Sequence, residues 1–302
     1  ALEVLCRSLD EDASLTPTGG LAVQAMITNA LEARLLCEAG WRDHPKAGSS
    51  KVERPLFIIG LPRTGTTALH HLLGQDPTLQ TLEHWIQRAP KPRPARESWA
   101  AEADFRAAEL RLDALYASSP ELRAIHEIEA QLPDECWNIF SQNFAHSSYE
   151  ANANVSQYAE WWARSDMRPA YRRHRRNAQL IGLGDLDKRW VFKDATHLFR
   201  LDALLDEYPD AMIVQTHRDP VPVIASVCSL CLSVRQAIER ETDLHAFGRS
   251  TLALWGRSID SMMEVRKLRD PAQFYDLAFE NIVADPIDAI QKIYAYFELE
   301  YS

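Results

Sequence analysis

The segment Gly60-Leu61-Pro62-Arg63-Thr64-Gly65-Thr66-Thr67 places two glycines, one cation and three hydroxyls between an apolar run and a helical pattern. A chain that leaves a strand, turns tightly and opens a helix directs free backbone N–H groups and the positive helix end at an anion. Glycine permits both the turn and the close approach of backbone to a phosphate. Gly60 and Gly65 match the phosphate-loop frame G-x-x-x-x-G-K-[ST], but Thr66 stands where that frame has lysine. That lysine reaches the β/γ-phosphates, and the hydroxyl after it holds Mg²⁺. A Thr-Thr loop therefore suits one 5′-phosphate better than a triphosphate, with Arg63 as the cation. An ordinary Gly/Pro turn is the bland alternative.

Pro62-Arg63-Thr64-Gly65-Thr66-Thr67 resembles the 5′-phosphosulfate-binding loop of sulfotransferases that use 3′-phosphoadenosine 5′-phosphosulfate (PAPS). The likeness runs loosely over residues 54–300, is firm at 56–75 and 190–230, and is most similar to the bacterial, especially actinobacterial, branch. It implies that Arg63, Thr64, Gly65, Thr66 and Thr67 bind the 5′ end of PAPS. It also implies that Arg218, after the strand Ile213-Val214, and Ser226, eight positions on, grip the 3′-phosphate. A guanidinium offers a planar fork of donors for that purpose, and a serine adds a hydroxyl. Lys193 and His197 in Lys193-Asp194-Ala195-Thr196-His197 resemble the family's sulfonyl-contacting lysine and general-base histidine, with inserted residues changing the spacing. Asp194 either pairs with Lys193 or orients His197. Glu83 is the second candidate base, because some members acting on sugars use a glutamate in a comparable region. His70 and His71 share a helix and receive no role. Two departures stand out: Ala68 replaces an aromatic often found after the two threonines, and no Gly- and basic-rich segment precedes Tyr301-Ser302.

The activity so implied is transfer of a sulfuryl group from PAPS to a hydroxyl or amine of a small-molecule, sugar or lipid acceptor, releasing adenosine 3′,5′-bisphosphate. Such a reaction rests on in-line positioning and on stabilising negative charge, and it requires no dedicated metal. Arg63, Lys193 and His197, with Glu83 behind them, are the catalytic candidates. The alternatives are a kinase- or NTPase-like phosphotransferase, which the absent lysine opposes, and a non-catalytic nucleotide-binding protein.

Positioning these groups requires strands that end at one edge. The apolar runs Leu56–Ile59, Trp190–Phe192, Ala211–Val214 and Phe274–Leu277 read as strands, each followed by a helical pattern. Strands alternating with helices predict an α/β, three-layer P-loop-like fold with a central parallel sheet flanked by helices. Residues 1–50 read as N-terminal helices, with Leu21, Met26, Leu31 and Leu35 near a helical period. Residues 88–185 read as a mostly helical insertion or cap within a single domain spanning 1–302, and the Pro-rich stretch 88–100 reads as a linker. Tyr171-Arg172-Arg173-His174-Arg175-Arg176 reads as a solvated, ion-paired helix face rather than an anion site. Trp137, Tyr158, Trp161 and Trp162 read as core before acceptor pocket.

Composition excludes several classes. The 302 residues carry 33 Lys+Arg against 43 Asp+Glu, a net charge of −10, which disfavours nucleic-acid binding. With 46% hydrophobic and 25% charged residues, the chain is globular rather than disordered. The most apolar stretch, Val221–Val234, falls short of the ~20 residues of a membrane helix, so no transmembrane segment is expected. Ala1-Leu2-Glu3-Val4 lacks the basic start of a signal peptide. Five sparse cysteines, including the pair Cys228 and Cys231, fit free thiols in a reducing cytoplasm better than a disulfide framework or a zinc site.

Overall fold

The computed structural model describes residues 1–118, 123 and 127–300. Five strands form one sheet: β1 (Leu56–Ile59), β2 (Leu79–Gln80), β3 (Arg189–Lys193), β4 (Met212–His217) and β5 (Phe274–Ala278), in the order β2-β3-β1-β4-β5. Every neighbouring pair is parallel, and β1 aligns Ile58 with Lys193 on one side and Ile59 with Gln215 on the other. A parallel sheet needs helical crossovers on both faces, so its strands are apolar throughout. β1 is buried at all four positions. Phe57 and Ile59 join Phe192, Phe140, Tyr171 and Leu204 on one face, while Leu56 and Ile58 join Leu69, Leu73 and Ile290 on the other. This alternation produces the three-layer α/β architecture expected from the sequence, each such side chain contributing roughly 1.5–3 kcal/mol of burial.

The strand order reverses around β1, because β2 and β3 lie to one side and β4 and β5 to the other. In such sheets ligands bind beyond the carboxyl ends of the strands at this switch point. Gly60, Lys193, His217 and Ala278 are the residues at those ends.

Some elements differ from the sequence reading. β2 is only two residues long and carries no strand pattern of its own. The helical pattern expected after the second strand is a 3₁₀ turn, Ala195–Arg200, followed by the helix Leu201–Glu207. The Pro-rich stretch is strapped down rather than loose: Arg93 stacks on Trp190 and Lys91 pairs with Glu102 and Asp104. In the Pro17–Asp43 helix, Leu21 and Leu35 face solvent, while Gly19, Val23, Ala30, Ala33, Cys37 and Trp41 are buried. A Cβ on Gly19 would lie 2.0 Å from the Ile238 carbonyl oxygen, so small residues let this helix sit directly on its neighbour. That neighbour, Pro220–Ile238, has 19 residues and a mean hydropathy of 1.7. It is therefore longer than the expected apolar stretch, and by length and composition it is the one helix among the described residues that could cross a membrane. Here Val223, Val227 and Cys231 are packed into the domain with Leu5, Val23 and Trp255.

Candidate active site

The loop after β1 has the geometry of an anion cradle. A Cβ on Gly60 would lie 2.2 Å from Thr216 Oγ1, so only glycine lets β1 and β4 close there. The Thr64 hydroxyl donates to the Leu61 carbonyl at 2.6 Å and lies 2.6 Å from Thr216 Oγ1, making this buried threonine a strut of the loop rather than a surface donor. Arg63 and Gly65 both take left-handed conformations, with φ of 70° and 86°. For arginine that conformation carries strain, a feature that clusters at ligand clamps. The helix Thr66–Leu73 then starts with no side chain capping its first turn, so its leading amides point out past the carboxyl edge of β1.

Three distant residues converge on this loop. Arg63 Nε donates to Ser226 Oγ at 3.1 Å, and Arg218 Nη1 donates to the Arg63 carbonyl at 2.9 Å. The Arg218 guanidinium lies 4.2 Å from the centre of the Phe279 ring. Phe279, just past β5, was not singled out by the sequence. Its ring closes on the loop, since a Cβ on Gly65 would meet it at 3.0 Å. Ala68 is exposed.

Lys193, at the end of β3, is nearly buried and donates to Thr67 Oγ1 at 2.9 Å and to Glu135 Oε1 at 2.5 Å. Glu135 is a second residue that sequence reasoning missed; the acid pair Asp134-Glu135 after Pro133 was its only local signal. Its position is built by long-range pairing. His84 N donates to the Leu132 carbonyl, Asp134 N to Leu82, and Cys136 N to Lys193. The Asp134 carboxylate accepts from the Glu135 amide at 2.7 Å and lies 2.7 Å from His84 Nδ1.

His197 lies elsewhere. It is fully buried, packed edge-on against Phe57 and Phe140 at 5.0 and 5.6 Å, with Nδ1 2.8 Å from the Tyr171 hydroxyl. Burial lowers its pKa to about 4, the nearby Asp194 only partly opposing this, so the ring is neutral. The Asp194 carboxylate hydrogen-bonds the side chain of neither Lys193 nor His197. It caps the 195–200 turn through Thr196 N at 2.7 Å and lies 3.0 Å from His146 Nε2. Its carboxyl is held well below the usual range by His146 in spite of burial. Glu83 forms an ion pair with Arg93 at 3.1 Å and accepts from the Thr81 hydroxyl at 3.2 Å. Burial raises its pKa against the pull of Arg93. It lines a polar cavity of about 600 Å³ with Gln75, Arg93 and Lys188, and its backbone bridges to Pro133. His70 is buried with its pKa lowered to about 3 by desolvation, and His71 Nε2 lies 3.2 Å from the Pro133 carbonyl.

The basic run at 171–176 is a tie between helices: Arg173 pairs with Glu38, Arg175 with Glu207, and Arg176 stacks on Trp41 at 3.7 Å. Tyr158 and Trp162 are core, whereas Trp137 is half-buried and lines two cavities. Among the described residues the cysteines are free thiols, and no group of three or more His, Cys, Asp or Glu could hold a metal ion.

A family model described as the sulfotransferase family matches residues 55–302. The crystal structure of sulfotransferase STF1 from Mycobacterium tuberculosis H37Rv superposes with a TM-score of 0.95 at 40% identity, covering 100% of this chain and 82% of that one. Sulfotransferase STF9 from Mycobacterium avium gives 0.91 at 26% identity, covering 99% and 77%. A curated relative, the omega-hydroxy-beta-dihydromenaquinone-9 sulfotransferase Stf3 of Mycobacterium tuberculosis, is 26% identical over 264 residues. That match takes in 81% of this chain and 63% of Stf3, so the chain spans less than two thirds of that relative's length.

Proposed function

Because this chain belongs to the sulfotransferase family, we propose that it moves the sulfuryl group of PAPS to a hydroxyl of an apolar, lipid-type acceptor and releases adenosine 3′,5′-bisphosphate. The observation that carries this reading is the convergence of Arg63, Arg218 and Ser226 beside the Gly60–Thr67 loop. One anion cradle at a helix start and a second donor cluster next to it suit a nucleotide bearing both 5′- and 3′-phosphates. Thr66 in place of the triphosphate-binding lysine argues against Mg-ATP.

In this reading the first-turn amides of Thr66–Leu73 and Arg63 hold the 5′-phosphate and stabilise the charge that collects on it as the sulfonyl group departs. Lys193, beside Thr67, meets the transferring sulfonyl oxygens. Arg218 and Ser226 hold the 3′-phosphate, and Phe279 offers adenine the aromatic face that Ala68 cannot. The leaving group carries a single bridging phosphate, so these donors serve without a metal.

Two cavities of about 250 and 180 Å³ share Ala22, Met26 and Trp137, and the larger is walled by Leu5, Leu9 and Val23. Trp137 stands two residues after Glu135. An apolar cleft lined by Trp137 suits a long-chain alcohol, in keeping with the menaquinone-derived acceptor named for Stf3. The N-terminal helices supply one wall of that cleft, which favours treating residues 1–302 as one functional unit. A cytoplasmic site of action fits the free thiols.

Calorimetric titration with adenosine 3′,5′-bisphosphate, and with ATP plus Mg²⁺, tests the donor assignment. The bisphosphate is expected to bind without metal, and Arg218→Ala and Ser226→Ala to weaken it by about 10- to 100-fold and about 5-fold, in line with charged and neutral hydrogen bonds. Preference for Mg-ATP, or unchanged affinity in both variants, overturns it.

A further inference from the structure

We propose that Glu135 is the general base of the transfer, held in place by Asp134 and His84; the assignment rests on the sulfuryl-transfer reading above. Three observations converge on it. Glu135 shares Lys193 with Thr67, the last residue of the loop, so its carboxylate stands where the sulfonyl end of the donor would lie. Lys193 is 4% exposed at its side chain and Glu135 30%, so the carboxylate is the member of the pair open to an incoming acceptor. Its backbone is locked by Asp134, whose carboxylate takes the Glu135 amide and His84, and by the Cys136 amide donating to the Lys193 carbonyl at 3.1 Å. Burying the Lys193 ammonium costs desolvation that the loop alone would not require. The other candidates are committed elsewhere: His197 is sealed in the core and Glu83 is paired with Arg93.

The chemistry balances without a further reagent. Lys193 exchanges its contact with Glu135 for the sulfonyl oxygens, and the freed Glu135 oxygen accepts a hydrogen bond from the acceptor hydroxyl. The acceptor oxygen forms a bond to sulfur as the bond from sulfur to the 5′-phosphate oxygen breaks. The electron pair of that bond stays on the bisphosphate, and the acceptor proton passes to Glu135. Lys193, Asp134, His84, His70, His71 and Cys136 are charged or titratable groups around this step.

The test measures bisphosphate release from PAPS, with water alone and with farnesol as a hydroxyl probe, beside calorimetric bisphosphate affinity. Glu135→Gln retains an oxygen for Lys193 but no basicity. It should keep bisphosphate affinity within about threefold and slow release by about 100-fold or more, the range of general-base catalysis. Glu135→Ala should regain part of that rate in added formate, and Glu135→Gln should not. Unchanged release in Glu135→Gln overturns the proposal, as does a loss explained by weakened bisphosphate binding with no formate rescue in the alanine variant. A wild-type protein that fails to bind bisphosphate overturns the donor reading itself, and this assignment falls with it.

Discussion

Replacing His197 separates a core residue from a catalytic one. In His197→Ala the Tyr171 hydroxyl, now 2.8 Å from Nδ1, loses its partner inside the core. An unpaired buried hydroxyl costs about 1–3 kcal/mol. Removing a ring that Phe57 and Phe140 pack against adds a cavity cost, so the total comes to about 3 kcal/mol or more. In a domain of this size that lowers the melting temperature by roughly 6–10 °C. His197→Gln keeps a polar group near Tyr171 and should cost about 1 kcal/mol, which guards against an alanine variant that does not fold. Thermal or urea unfolding reads the stability of both, and bisphosphate release from PAPS reads the chemistry of the folded fraction. Release should stay within about threefold of wild type in both, whereas loss of a general base costs about 100- to 10,000-fold. A folded His197→Gln protein with an unmoved melting temperature and release cut 100-fold would refute the placement of His197 in the core and restore it as the base.

The remaining predictions follow from the same buried groups and from the loop. His70 and His197, with pKa values lowered to about 3 and 4, and His174, lowered well below its ordinary value, are all held neutral by burial. The unfolded chain protonates each near pH 6.5, so their stabilising contribution is complete above that pH and is lost as pH falls toward 4. Near pH 5 three such groups give a slope of about 4 kcal/mol per pH unit, and His197→Gln should remove about a third of it in urea titrations; an unchanged slope contradicts the burial argument. Gly60→Ala places a methyl 2.2 Å from Thr216 Oγ1 and 3.0 Å from Thr64 Oγ1. It should cost about 1–3 kcal/mol of stability and weaken bisphosphate binding by at least about tenfold, and calorimetry showing wild-type affinity would mean the loop is not the cradle.

What the sequence disclosed was what contiguous residues determine. The loop from Gly60 to Thr67 lies on one short segment, and its neighbours β1 and the following helix carry their own patterns, so strand, turn and helix were readable together. Four of the five strands were visible because a strand buried on both faces must be apolar throughout. β2 was not, since two residues carry no pattern. The periodic apolar residues located the Pro17–Asp43 helix but not its buried face, for which close packing on Ile238 selects glycine and alanine.

Glu135, the base we propose, was the hardest residue to read because its position is a tertiary fact. His197 follows β3 closely enough to suggest a site residue, but the 3₁₀ turn at Ala195–Arg200 carries it into the core beside Phe57. Glu135 is 58 positions from Lys193 in the chain, and no spacing rule links them. Their meeting depends on residues 130–134 pairing with 82–85, which brings the Asp134-Glu135 turn over the end of β3. The same pairing explains why the helical insertion matters to the chemistry. In the proposed reading the sheet carries the loop and Lys193, the insertion supplies Glu135 and Trp137, and the N-terminal helices complete the cleft wall. On this proposal, substitutions in the insertion should alter acceptor use while leaving the Arg63–Ser226 and Arg218–Arg63 contacts in place.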